Sequence, residues 1–296
     1  MRSLLIAGLL AATGLAAGAA LADDVPAKTL FGAVAKPSAA APLPIGSFAK
    51  GCLAGAVPLP VTGPAWQVMR LSRNRNWGTP ELVSFLEKLG TAGRKNDWPG
   101  LLVGDMSQPR GGPMATGHAS HQIGLDADIW FVPMPDHVLS AAERESMAAE
   151  SLLIKGRLAI DPAKWSDAYA HLLKRAASYP EVTRIFVSAA IKQQLCDTAG
   201  TDRDWLRKLR PWAGHADHFH VRLQCPPGIA GCADQAPPPA GDGCGEELAW
   251  WFKPHPPPPK PPKPVKPKPP LTLADLPKAC AEVLTARDKE GTLPTN

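Results

Sequence analysis

Five of the eight histidines of this 296-residue chain lie in two short clusters, residues 117–128 (GHASHQIGLDAD) and residues 215–220 (HADHFH). Imidazole and carboxylate groups are usual ligands of a catalytic zinc ion, which takes three of them and keeps a fourth position for water. The two clusters contain enough such groups for a complete ligand set. Metal-dependent hydrolysis is therefore the chemistry that these residues favour.

Strand periodicity predicts which side chains of the two clusters share a face. In each predicted strand, apolar side chains alternate with polar ones, so Asp126 and Asp128 lie on one face of the first strand. His218 and His220 likewise share one face of the second. Two strands of one sheet could therefore present Asp128 and His220 to the same cleft. His121, in the glycine-rich approach loop, would complete a set of three ligands.

Helical and strand signals alternate along the chain. This mixture predicts an α+β fold in which a small antiparallel sheet carries the metal site and is flanked by helices. Strands are expected at residues 100–103, 125–131, 183–187 and 219–223, and helices are expected to begin at Thr79-Pro80, Ser140, Asp161-Pro162 and Thr201.

The chain begins with the layout of a secretory signal peptide. Arg2 precedes an apolar run over residues 4–21, which ends in the small-x-small sequence Ala20-Leu21-Ala22. We expect cleavage after Ala22 and export of a soluble product, since no later stretch has the length of a membrane span. The predicted organisation is a signal peptide (1–22), a main domain (23–252), a Lys/Pro-rich linker (253–270) and a C-terminal segment (271–296).

Six cysteines in an exported chain predict three disulfide bonds and no thiolate chemistry. None of the cysteines has C-x-x-C spacing, and none lies inside a histidine cluster. Because six cysteines allow about fifteen pairings, residue spacing leaves the connectivity open. Cys225 and Cys232 bracket a Pro-Pro-Gly sequence and could close a small loop.

The last part of the chain differs in composition. Residues 253–270 are almost entirely proline and lysine, which predicts an extended polyproline II linker. The alternatives are attraction to an anionic wall polymer and docking to a proline-recognising partner. Residues 271–282 resume an apolar period and contain Cys280, so a disulfide should pin this segment back. The net charge of +5 is mild, and no basic stripe with interleaved aromatics indicates nucleic acid binding.

Several long segments resemble one family. His121 and Asp128, with His218-Phe219-His220 far downstream, have the arrangement of the lysostaphin, D-Ala-D-Ala metallopeptidase and hedgehog group. More narrowly, the chain resembles the penicillin-insensitive murein endopeptidases, peptidase family M74, and the similarity runs in order from residue 45 to residue 245. The segments that carry it are GHASHQ (117–122), GLD (124–126) and GTDRDWLRK (200–208).

The resemblance implies a periplasmic zinc endopeptidase that cuts D-alanyl-meso-diaminopimelyl cross-links between peptidoglycan stem peptides. It implies Zn²⁺ ligation by His121, Asp128 and His220, with His218 as base or proton shuttle. Zinc would lower the pKa of its bound water towards about 7. Without an active-site serine, no acyl-enzyme would form for penicillin to trap. The implied disulfides are Cys52–Cys280, Cys196–Cys244 and Cys225–Cys232.

Two departures from the family pattern bear on the site. Relatives carry an Asp-Gly-Lys-His stretch, linked to a second metal, where this chain has Lys155-Gly156-Arg157-Leu158. We therefore expect one zinc ion, and His118 could bind a second ion weakly or hydrogen-bond within its loop. Asp217 replaces the glutamate base of related carboxypeptidases. Strand parity points Asp217 away from His220, which leaves His218 as the predicted base.

Four further residues each allow two interpretations. Asp126 and His215 could act directly, or Asp126 could only orient His118 or cap a turn. Trp205 and Trp212 could line a substrate groove, but aromatic residues beside apolar neighbours more often lie in a core. We therefore expect both tryptophans to be core residues.

Three other functions compete with a zinc endopeptidase. Ser47-Phe48-Ala49-Lys50 matches the S-x-x-K signature of penicillin-binding proteins, but no K-T-G follows, so we interpret it as coincidental. A D-Ala-D-Ala-type zinc carboxypeptidase would place a glutamate before His220. A non-catalytic zinc-binding or wall-anchoring protein would close its site with a fourth protein ligand, whereas His218 favours catalysis. The sequence does not predict the oligomeric state.

Overall fold

A computed structural model describes residues 25–95, 97–254 and 268–294. The predicted signal peptide and most of the predicted Lys/Pro-rich linker lie outside these ranges. The α-helices in the described ranges are α1 (Ala27–Gly32), α2 (Pro80–Arg94), α3 (Ala141–Ser146), α4 (Asp167–Ser178), α5 (Ala189–Thr198), α6 (Glu246–Ala249) and α7 (Ala279–Thr285). None of the helices in these ranges is long and apolar enough to cross a membrane.

The strands in the same ranges are short. They are β1 (Leu43–Ser47), β2 (Lys50–Ala54), β3 (Val57–Pro58), β4 (Thr62–Gly63), β5 (Trp66–Val68), β6 (Trp77–Gly78), β7 (Leu101–Val103), β8 (Asp126–Trp130), β9 (Val182–Val187), β10 (Leu209–Pro211) and β11 (His218–Leu223). All four predicted strands are present, with ends that shift by at most one residue.

A seven-stranded sheet in the order β10-β9-β11-β8-β7-β5-β4 forms the centre of the fold. The inner strands β9, β11, β8 and β7 pair antiparallel, whereas the pairs β10–β9 and β5–β7 are parallel. The predicted α+β class is confirmed. The sheet has more strands than predicted, and it is mixed where the prediction was antiparallel. The prediction missed β4, β5 and β10 because these strands are too short for residue periodicity to identify.

The register of β8 against β11 places the candidate ligands. His220 lies opposite Asp128, and Arg222 lies opposite Asp126. The alternate residues on both strands are fully buried in the apolar core beneath the sheet; they are Ala127, Ile129, Phe219 and Val221. The predicted division of each strand into an apolar face and a face that carries the candidate site residues is therefore confirmed.

Two predicted helix starts are correct and two are wrong. The Thr79 hydroxyl caps α2 by accepting from the Leu82 N–H, and Ser140 forms a capping box with Glu143. The third helix begins at Asp167, since Asp161 accepts hydrogen bonds from the following N–H groups and closes a local turn first.

The predicted helix capped by Thr201 is a 3₁₀ turn over Asp204–Lys208, preceded by Arg203. Leu206 of this turn lies within the core, and Trp205 is partly buried and packs against the core. The residue types were interpreted correctly there, and only the helix type and its start differ.

Three disulfides cross-link the described chain, and they are the pairs that the resemblance implied: Cys52–Cys280, Cys196–Cys244 and Cys225–Cys232. The first joins β2 to α7 and so pins the C-terminal segment to the N-terminal hairpin, as predicted. Arg110 reinforces this junction, because its buried guanidinium donates to the carbonyls of Val283 and Leu284.

Candidate metal centre

Asp128, at the middle of β8, is the point on which three histidines converge. The Nε2 atom of His121 and the Nδ1 atom of His220 each lie 3.4 Å from Asp128 Oδ1. The Nδ1 atom of His118 lies 3.5 Å from Asp128 Oδ2. His121 reaches this position from the loop before β8 with a positive φ of 66°. All four residues that the sequence predicted as metal ligands are thus brought together.

The other ring nitrogen of each histidine is held by an acceptor. His121 Nδ1 donates to the Met106 carbonyl at 3.0 Å, and His220 Nε2 donates to Asp126 Oδ1 at 2.9 Å. His118 Nε2 donates to Asp105 Oδ2 at 2.9 Å. These bonds set the neutral tautomers, so the nitrogens that face Asp128 carry lone pairs. Such outer contacts are how proteins orient imidazole ligands around a metal.

Two atoms at the centre of this cluster are buried without a hydrogen-bond partner, His121 Nε2 and Asp128 Oδ1. Because His121 Nδ1 carries the ring proton, both atoms are hydrogen-bond acceptors, and two acceptors that face each other repel. Buried polar atoms are nearly always paired, so an orphan pair of this kind needs an explanation. A divalent cation between them would satisfy both. Imidazole and carboxylate donors fit zinc among other transition metals.

The ionisation of the cluster points the same way. Burial by itself raises the pKa of Asp128, but the neighbouring His121, His220 and His218 outweigh it and hold this pKa far below its usual range. Burial by itself lowers the pKa of His121, but the charge of Asp128 outweighs burial, so the net effect is a raised pKa. His220 has a pKa lowered to about 4, chiefly by burial. The site thus keeps Asp128 anionic and favours a positive charge beside it.

Two overlapping ligand sets share His121 and Asp128. One adds His118, and all its ligand atoms lie within 4.8 Å of one another. The other adds His220, which lies directly across the strand pair from Asp128. The sequence favoured the set with His220, and that histidine is also nearly buried and anchored by a carboxylate that is itself fully buried.

His218 lies at the rim of the cluster. Its Nε2 atom is 3.8 Å from Asp128 Oδ1, and its Nδ1 atom donates to Asp217 Oδ1 at 2.6 Å. Burial lowers the pKa of His218, but the hydrogen bond to Asp217 and the charge of Asp128 raise it above the ordinary value. Asp217 therefore orients His218 and does not face the centre, which agrees with the strand-parity argument.

Asp126 anchors the His220 side of the cluster and the loop that carries His121. It is fully buried, and it accepts from His220, from Arg222 Nε at 2.7 Å and from the backbone N–H of His121 at 3.0 Å. The suggestion that it orients His118 is wrong, because β8 and β11 pair Asp126 with Arg222 and so direct its carboxylate toward His220. A role in orientation is nevertheless what these contacts describe.

The residue that orients His118 is Asp105, which sequence reasoning missed. Its Oδ2 atom accepts from His118, from Arg75 at 2.7 Å and from Arg73 at 3.1 Å. Burial raises the pKa of Asp105, but the hydrogen bond from His118 and the charges of Arg75 and Arg73 outweigh burial and lower this pKa to about 2. The available signal was its position two residues after the apolar strand β7, where buried acidic residues are uncommon.

An open cleft of about 490 Å³ leads to the cluster, and its lining includes His118, His218 and His220. The prediction that Trp212 is a core residue is wrong: its side chain is 57% exposed and contacts the edge of Phe186 at the cleft. Trp212 directly follows β10, at the end of the sheet, so no layer covers it. His215 lies beside His218, with ring centroids 4.8 Å apart.

Two segments noted in the sequence, residues 47–50 and 155–158, form local turns and contribute no residue to the histidine–aspartate cluster. Ser47 and Lys50 flank the β1–β2 turn, where the Ser47 hydroxyl accepts from the Lys50 backbone N–H at 3.2 Å. Residues 155–158 form an exposed turn. The S-x-x-K match is therefore explained by a hairpin.

Known proteins match this chain over most of its length. A family model described as penicillin-insensitive murein endopeptidase matches residues 44–285. A protein of that name from Haemophilus influenzae is 48% identical over 248 residues, which are 83% of this chain and 84% of the relative. Another, from Yersinia enterocolitica, is 43% identical over 280 residues, which are 94% and 96% of the two chains. This chain belongs to the penicillin-insensitive murein endopeptidase family of peptidases.

Proposed function

We propose that this protein is a zinc metallo-endopeptidase that hydrolyses the D-alanyl-meso-diaminopimelyl cross-links of murein. The observation that carries the proposal is the convergence of anchored imidazole nitrogens on the orphaned oxygen of Asp128, at the end of an open cleft. The names of the relatives supply the substrate class, and the cluster supplies a chemical means of cutting it.

His121, Asp128 and His220 would hold the metal, and His118 would approach it from the loop side. A bound zinc ion supplies a water molecule of lowered pKa and polarises the carbonyl of the scissile bond. The protein keeps the ligand set in place through Asp126, which fixes His220, and through Asp105, which fixes His118. These anchors are the chain's own contribution to the metal's geometry.

His218 would transfer protons in this reaction. Its Nδ1–H is engaged by Asp217, so Nε2 is the nitrogen that can accept a proton, and this atom faces the cluster at the cleft. A base that accepts a proton from water can return it to the leaving amine. Asp217 would stabilise the protonated state of His218 between these two transfers.

The cleft suits a peptide with free carboxylates. No acidic side chain in the described parts of the chain lines it, whereas the cationic side chain of Arg222 does. The exposed ring of Trp212 gives an apolar wall next to the metal centre. Cross-linked stem peptides combine carboxylates with aliphatic segments, so these two properties support murein as the substrate.

An exported protein is also part of the proposal. Three disulfides and the absence of a free cysteine among the described residues are typical of an oxidising compartment. Murein lies in such a compartment, so we place the enzyme in the periplasm, with the predicted cleavage after Ala22. Its partner is the cross-linked peptidoglycan itself.

The test is digestion of purified cross-linked muropeptide dimers, with and without a zinc chelator, resolved by mass spectrometry. The expected result is conversion of dimers to intact monomers, which stops on chelation and returns when zinc is added. Loss of terminal alanine alone would indicate a carboxypeptidase. Unchanged dimers in the presence of bound zinc would contradict the proposal and favour a zinc-binding or wall-anchoring protein.

The same assay tests the role of His218. The variant His218→Ala should keep zinc and lose turnover, because its ring would serve as a proton carrier and not as a ligand. Undiminished turnover with zinc still bound would rule out this role. His171 lies on α4 away from the cleft lining, so His171→Ala is the matched control.

A further inference from the structure

A short segment, residues 234–239, contributes to one wall of the cleft, and we call this segment the strap. Its sequence, Asp-Gln-Ala-Pro-Pro-Pro, ends in three prolines, which lack N–H groups and fix φ near about −65°. Such a segment must be held through its carbonyls. Arg207 donates to the carbonyls of Pro238 and Pro239 at 2.6 and 2.8 Å, and Arg184 donates to that of Ala236.

Cross-links fix the chain on both sides of the strap. Cys232, two residues before it, is bonded to Cys225, and Cys244, five residues after it, is bonded to Cys196. Asp234 adds a bond by accepting from the Cys225 N–H at 2.7 Å. The strap is therefore conformationally restricted, although all of its residues except Pro238 are exposed. A restricted surface loses little conformational entropy when a ligand binds to it, which favours binding.

Gln235 is the residue of the strap that lines the metal cleft. Its Oε1 atom accepts from Arg222 Nη1 at 2.8 Å. Because a guanidinium only donates, this contact fixes the orientation of the amide and leaves Nε2 with two N–H groups. No acceptor within the described ranges takes them. The strap thus presents an oriented hydrogen-bond donor to the cleft.

Arg222 connects this donor to the metal centre. The same guanidinium that holds Gln235 donates to both oxygens of Asp126, which in turn accepts from His220. The amide of Gln235 is therefore positioned relative to a candidate metal ligand through two side chains that are themselves more than nine-tenths buried. Such fixed spacing is what a group that aligns a substrate with a metal requires.

We infer that Gln235 is a substrate-binding residue, whose Nε2 group donates to a carbonyl or carboxylate oxygen of the stem peptide. This inference rests on the proposed function. Arg222 and the arginines that hold the strap are positioning residues, since they act through Gln235. We assign the acceptor to the peptide because the described cleft lining contains no acidic group that could accept from Gln235, and it includes the cationic Arg222, which suits an oxygen-rich ligand.

The test compares two variants of Gln235 by steady-state kinetics on muropeptide dimers. Gln235→Glu keeps an oxygen for Arg222 but removes the donor, whereas Gln235→Ala removes both. We expect each to raise KM about 10-fold, with kcat changed less than about 2-fold, as for a lost hydrogen bond in binding. Gln224→Glu is the matched control, because Gln224 is exposed and lines a neighbouring cleft but not the metal cleft.

Zinc content and thermal stability should be unchanged in all three variants. A wild-type KM for Gln235→Glu would overturn the inference, and so would a KM as high for Gln224→Glu. If the unmodified protein binds dimers without cutting them, the proposed function fails by itself. The dissociation constants of the unmodified protein and Gln235→Glu for the dimer then decide the inference, with equal values overturning it.

Discussion

Two sets of buried polar groups in this protein are treated in opposite ways. Arg110, Arg144 and Lys192 are almost fully buried cations, and each donates to backbone carbonyls from distant parts of the chain. In the metal centre, by contrast, His121 Nε2 and Asp128 Oδ1 are buried acceptors without partners. The first set is complete by itself, and in the proposed function a cation would complete the second.

The contrast separates groups that hold the fold from groups that we propose to serve the reaction. A buried cation bonded to several carbonyls stabilises the junction of the segments that supply them, and its loss leaves those carbonyls unpaired. An unpaired acceptor cluster costs stability in the free protein and is retained for binding. The two sets should therefore respond differently to mutation.

The largest effect is expected for Asp128→Ala. Murein hydrolysis should fall by more than the roughly 10- to 100-fold that loss of an outer anchor costs, because the shared ligand is gone. The metal-free variant should be about as stable as the metal-free parent, because the unpaired Oδ1 atom of Asp128 and the attraction of its carboxylate to the neighbouring histidines are lost together. Zinc titration and urea unfolding measure the two effects. Unchanged zinc affinity would contradict the proposed ligand set, and Asp136→Ala, at an exposed aspartate, is the control.

The opposite response is expected for Arg144→Met. This guanidinium donates to the Leu139 and Val68 carbonyls and to the Gln67 side chain, so its loss should destabilise the protein by about 3 kcal/mol or more. Zinc affinity of the folded fraction should not change. Denaturant unfolding checks the first statement, with the exposed Arg157→Met as control. Full stability would show that the contrast between the two sets is wrong.

A smaller effect is expected for Asp105→Asn, which weakens an anchor and leaves the ligands in place. Zinc affinity should fall about 10-fold, the low end for an outer contact. Because the folded-state pKa of Asp105 is lowered to about 2, its carboxylate adds stability above about pH 4 that is lost as the pH falls through 2. The variant should lack this part of the acid dependence, measured by unfolding against pH with Asp136→Asn as control.

The smallest effect is expected for Asp217→Asn, which changes when His218 is protonated. Asp217 raises the pKa of His218, and a base is inactive when protonated. Removing this charge lowers the pKa, so the acid limb of kcat/KM should move to lower pH while the rate near pH 8 changes little. A pH–rate profile measures the shift. An unmoved acid limb would mean that another group titrates, and Asp202→Asn, on an exposed ion pair, is the control.

Sequence reasoning was accurate where the information is local. Alternation in β8 and β11 predicted the shared face of Asp128 and His220, and capping residues predicted the start of α2. It failed at Asp105 and Trp212. The role of Asp105 depends on arginines some thirty positions away, and the exposure of Trp212 depends on the edge of a sheet. Neither property is contained in the neighbouring residues.

The sequence by itself determined the candidate ligands, their strand faces, the number of disulfides and the family resemblance, because strand periodicity and motif spacing are properties of contiguous residues. Only the tertiary structure decided which nitrogen of His121 and His220 faces Asp128, that Asp126 and Asp105 anchor the ligands, and that Gln235 presents its amide to the cleft. These contacts join residues up to about a hundred positions apart. Strand register and loop paths bring them together, and those are set by packing of the whole chain.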